Sequence, residues 1–71
     1  MKNFNVSEAA QNLIEQENLG NRSDVRSSFK KLKKAERKDV VAYLVGKITS
    51  ETEFMTRREI NDLVVILISE L

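Results

Sequence analysis

The chain contains no cysteine, histidine, proline or tryptophan, and only two glycines. Without cysteine, neither a disulfide nor a thiolate–metal centre can brace the fold. Without histidine, the usual neutral metal ligand and the usual general base near pH 7 are both missing. The common nucleophile–base pairs therefore cannot be assembled. There is no glycine-rich phosphate loop, and no segment has the alternating Asp/Asn spacing with a central Gly that a helix–loop–helix calcium site needs. Tyr43 is the single tyrosine. It reads as a half-buried ring with its hydroxyl at the surface, not as an acid–base group. The expectation is a protein that is not an enzyme and carries no catalytic residue, cofactor or metal.

Long apolar runs are missing too. The most apolar stretch, Leu63–Ile68, is far short of the ~20 residues needed to span a bilayer. No apolar run precedes a small-residue cleavage site, so a cytoplasmic protein without membrane contact is expected. Seventy-one residues suggest one domain over 1–71. A chain of this size buries only about 60% of the surface its unfolded form exposes. Its hydrophobic share of 41% is adequate for a core.

Few breakers and helical spacing predict an all-α fold, a small bundle of three to four short helices. Asn5 and Glu8 have the spacing of a capping box at the first helix start. Val6, Ala10 and Leu13 then share a face, with Ile14 beside them, and Gly20 falls where a left-handed cap would end the helix. Ser23, followed by Asp24, is the expected N-cap of a second helix with a stripe of Val25, Phe29 and Leu32. A third apolar set, Val40, Val41, Leu44, Val45 and Ile48, is centred about 130° around from that stripe, so one straight helix cannot aim both at one core. A break is expected near Lys34–Lys38. Gly46, inside the third helix, costs about 1 kcal/mol relative to Ala and suggests a close helix crossing. After a polar connection over Thr49–Phe54, Thr56 with Glu59 spells a capping box, and Met55 with Ile60 a hydrophobic staple. The fourth stripe runs through Ile60, Leu63, Val64, Leu67, Ile68 and Leu71. The expected core is Val6, Ala10, Leu13, Ile14, Val25, Phe29, Leu32, Val41, Leu44, Val45, Ile48, Ile60, Leu63, Val64, Leu67 and Ile68.

Charge is nearly balanced, twelve basic residues against eleven acidic, but it is segregated. Arg22, Arg26, Lys30, Lys31, Lys33, Lys34, Arg37 and Lys38 stand against Asp24 and Glu36 alone, giving residues 22–38 a net +6. Residues 1–21 carry net −2 and residues 39–71 net −3. In projection Arg26, Lys30, Lys31 and Lys34 lie opposite Val25, Phe29 and Leu32. Such a face suits phosphates or an acidic protein surface, or is simply the solvated side of an amphipathic helix. Lysine outnumbers arginine there and no aromatic residue interleaves, which argues against base reading by arginine forks or stacking. On the last helix, Val65 and Ile66 fall outside the main stripe, on either side of a polar strip of Asp62 and Ser69. A helix apolar nearly all round is normally covered on most sides, so Val65 and Ile66 are candidate oligomer-surface residues, most simply in a homodimer.

Lys2-Asn3-Phe4-Asn5-Val6 alternates as a short strand would, and Leu19-Gly20-Asn21-Arg22-Ser23-Asp24-Val25 resembles the inter-helix turn of ribbon-helix-helix DNA-binding proteins. That resemblance would send Asn3 and Asn5 into a DNA groove as part of a dimer. It covers fewer than half of the residues, and Ala9, Ala10, Leu13 and Ile14 sit poorly in that family's core register. The expected function is therefore a small regulatory or adaptor protein that binds another macromolecule, with a protein partner favoured. The alternative is a DNA- or RNA-binding regulator using the Arg22–Lys38 surface. A stand-alone chain this short fits an accessory protein of a phage or mobile element.

Overall fold

The computed structural model describes residues 4–71, which form four helices and no strand. They are α1 (Val6–Asn18), α2 (Arg22–Lys30), α3 (Lys34–Ser50) and α4 (Phe54–Ile68). Phe4 and Asn5 are not in a strand, and Val6 already belongs to α1, so the ribbon-helix-helix likeness fails where it can be examined. Asn3 lies outside the described residues.

Each helix boundary has a local cause. Asn5 takes an extended conformation, and its Oδ1 accepts from the Glu8 backbone N–H at 3.1 Å and from Ser7 Oγ at 2.8 Å. This satisfies one of the free donors at the helix start. At the other end Gly20 adopts φ +79, the left-handed region that glycine enters at little cost. The Asn21 N–H then reaches Gln16 O at 3.0 Å and the Gly20 N–H reaches Glu17 O at 2.9 Å, the Schellman pattern that closes a helix. Because Asn21 O immediately accepts from the Val25 N–H at 3.0 Å, α2 starts at Arg22 and not after Ser23, the expected cap.

The break between α2 and α3 falls at Lys31–Lys33, just before the expected Lys34–Lys38. Two side chains make it. Glu36 Oε1 reaches back to the Lys33 N–H at 2.9 Å, the acidic half of a capping box. The Arg37 Nε–H donates to Leu32 O at 3.0 Å. The last connection is shorter than expected, only Glu51–Glu53. Glu51 Oε1 accepts from the N–H groups of Thr52 and Glu53, both at 3.1 Å, so the chain is fixed early and α4 begins at Phe54. Thr56 is consequently the third residue of α4, not its cap.

One core joins the helices: Ala10 and Leu13 from α1, Val25 and Phe29 from α2, Val40 and Leu44 from α3, and Ile60, Leu63, Val64 and Leu67 from α4. Val6, Ile14, Leu32, Val41 and Ile48 pack half-buried at its edge. Two expected core residues are on the surface instead, Val45 at 45% exposure and Ile68 at 53%. α3 turns its Val40–Leu44 line inward, which leaves Val45 roughly 120° away from the core at about 100° per residue. Gly46 marks no close crossing, because a Cβ placed there would meet nothing within 4 Å. α1 lies against all three other helices, and α3 and α4 pack side by side.

Candidate partner surfaces

The basic segment divides into two populations. Its arginines and one lysine are already engaged within the protein. Arg22 Nε lies 3.8 Å from Glu17 Oε1, Arg26 Nε 3.7 Å from Glu70 Oε1, and Lys30 Nζ 3.2 Å from Glu70 Oε2. Arg37 is held by the Leu32 carbonyl. Glu70, just after the end of α4, therefore faces two side chains of α2.

Lys31, Lys33, Lys34 and Lys38 differ. All four are exposed, and among the described residues none forms a salt bridge. They do not share one helix face as the projection implied, because the chain turns between Lys31 and Lys34. They lie instead along the corner where α2 ends and α3 begins, from Lys31 after α2 to Lys38 one turn into α3.

Ile66, expected at the surface beside Val65, packs half-buried against the core and so offers less surface than Val65 does. Val65 is exposed at 61%, as expected of a surface residue, and its apolar companion is Ile68. Phe54 and Met55, at the start of the same helix, are exposed at 71% and 58%. Phe54 borders a shallow depression of about 320 Å³ shared with Ile48, Arg57, Arg58 and Asn61.

A cleft of about 340 Å³ between α1 and α2 has no counterpart in the sequence reading. Ala9, Leu13, Leu19 and Leu32 form its apolar wall, and Asn12, Gln16 and Ser28 its polar side. Gln16 Nε2 donates to Ser28 Oγ at 3.4 Å across it, while Gln16 Oε1 is buried without a hydrogen bond. Since Gln16 and Ser28 lie on different helices, only the docking of α1 on α2 creates the feature.

Among the described residues there is no group of three or more His, Cys, Asp or Glu side chains able to hold a metal, and no helix long and apolar enough to cross a membrane. No protein-family model, curated protein or solved structure matches the chain.

Proposed function

We propose that this chain is a non-enzymatic regulatory or adaptor protein that acts by binding another macromolecule, an acidic protein surface, through the lysine corner between α2 and α3. The observation that carries the reading is the split within the basic segment. Four lysines at the corner are exposed without an ion-pair partner, while the arginines beside them are occupied. Ammonium groups are compact point charges that suit carboxylates on a partner. Lysines serve phosphates as point charges too, but reading of bases draws on free arginine forks and stacked aromatics, and Arg22, Arg26 and Arg37 each have a partner within the protein. The second reading, a DNA- or RNA-binding regulator, rests on the net +6 of residues 22–38.

The test compares wild type with Lys31→Glu/Lys34→Glu/Lys38→Glu in affinity capture from source-cell extract, with and without nuclease. Expected is nuclease-resistant recovery of one acidic protein, lost in the triple variant while helicity is unchanged. Recovery that the triple variant leaves intact would overturn the reading. Nuclease-sensitive recovery, with affinity falling steeply in salt as counterions are released, would install the nucleic-acid alternative.

A further inference from the structure

The outward face of α4 is complementary to itself run backwards, and we infer that it is the contact of a homodimer in which two copies of α4 lie antiparallel across a twofold axis. Read along the helix, this face carries Phe54 and Met55, then Arg58, then Asp62, then Val65 with Ile68 at its edge. Successive groups stand about one turn apart. The order is apolar, positive, negative, apolar. A second α4 laid antiparallel, as a twofold axis perpendicular to the helix requires, sets Arg58 beside the partner copy's Asp62. The same operation repeats that pair in reverse, and it brings Phe54 and Met55 onto Val65 of the other copy at both ends.

The residues concerned are available for this contact. All six are exposed. Among the described residues, neither Arg58 nor Asp62 forms an ion pair, although the two are four residues apart. A cation preceding an anion at that spacing is the weaker orientation on a helix. The contact is separate from the lysine corner, so it leaves that surface open in each copy.

Size sets the strength. α4 has fifteen residues, about 22 Å of helix at 1.5 Å per residue. One helix laid against another at 8–10 Å covers a few hundred Å² a side, below the roughly 800 Å² per partner of a standard stable interface. The contact is therefore small, and a concentration series is the measurement suited to it.

Sedimentation equilibrium of the full chain across micromolar to millimolar concentrations reads the association directly. Expected is a mass that climbs from 8.2 kDa toward twice that value. Arg58→Asp alone sets Asp against Asp at both symmetry-related sites, and Asp62→Arg alone sets Arg against Arg. Each should weaken association by at least about tenfold, since like charges brought together in an interface repel. An equimolar mixture of the two single variants should associate again, as a heterodimer in which every pair is of opposite sign. Circular dichroism of each variant confirms that the helices persist. A mass of 8.2 kDa at every concentration would overturn the homodimer. So would dimerisation indifferent to both charge reversals, which would assign it to another face. Neither result bears on capture by the lysine corner.

Discussion

α2 and α4 treat their apolar side chains in opposite ways. α2 has two, Val25 and Phe29, and hides both completely, so its whole remaining surface is polar. α4 has nine apolar residues out of fifteen, hides four, and leaves Phe54, Met55, Val65 and Ile68 at the surface. The difference is one of demand against supply. A nine-residue helix with one narrow stripe needs a single contact, and the core provides it. A helix apolar over most of its circumference needs neighbours all round, and three short helices cannot surround it. Burial on α2 thus speaks only about folding, whereas the surplus on α4 is the ground for the proposed self-association.

Substitutions can break that comparison. Phe29→Ala should have the largest effect, because the ring is fully buried and its loss costs about 3–5 kcal/mol. The total stability of a domain of this size is only roughly 4–10 kcal/mol, so urea unfolding should show the variant partly or wholly unfolded in buffer. A mild effect would mean that α2 is not anchored where the core places it.

A neighbouring pair in α4 is the sharper comparison. Val64 is 5% exposed and Val65 is 61% exposed. Val64→Ala should lose about 2 kcal/mol, from two buried methyl groups and the space they leave. Val65→Ala, measured at low concentration, should stay within about 0.5 kcal/mol. Equal losses would show that Val65 is covered within the protomer and would remove the surplus on which the comparison rests.

The smallest effect belongs to the link between the two helices. Glu70→Gln removes the carboxylate facing Arg26 and Lys30, whose side chains are largely solvated. Pairs of this kind contribute no more than about 1 kcal/mol. The loss should shrink further in high salt, which screens exposed charges. A salt-independent loss of several kcal/mol would show that α2 is held to α4 by charge and not by Phe29.

The all-α fold was legible from spacing because Val25–Phe29 and Ile60–Leu63–Val64–Leu67 repeat at helical intervals whatever their surroundings. Boundaries were legible where one residue acts on the backbone within a turn of it, as with Asn5 and Gly20. They were missed where the deciding group came from an unexpected position. Glu51 fixes the chain ahead of α4, so the Thr56–Glu59 signature goes unused, and Glu36 sets the break ahead of α3. The basic segment stood out in the sequence, but its division did not, since Glu70 lies forty residues from Lys30 and reaches it only through the fold.

The order of residues along one helix determined the stripes, the caps that act within a turn, and the run of apolar, positive, negative and apolar groups on α4, since each depends only on spacings of three and four. Tertiary packing alone decided which side of a broad apolar helix faces inward. Val45 satisfies helical periodicity as well as Val40 does, yet it is exposed, and Ile66, outside the stripe, packs on the core while Ile68, within it, does not. Periodicity determines angles between side chains and not the direction of the neighbours. The packing of α2 against α1 and α4, with Phe29 in the core, left Val65 and Ile68 facing out.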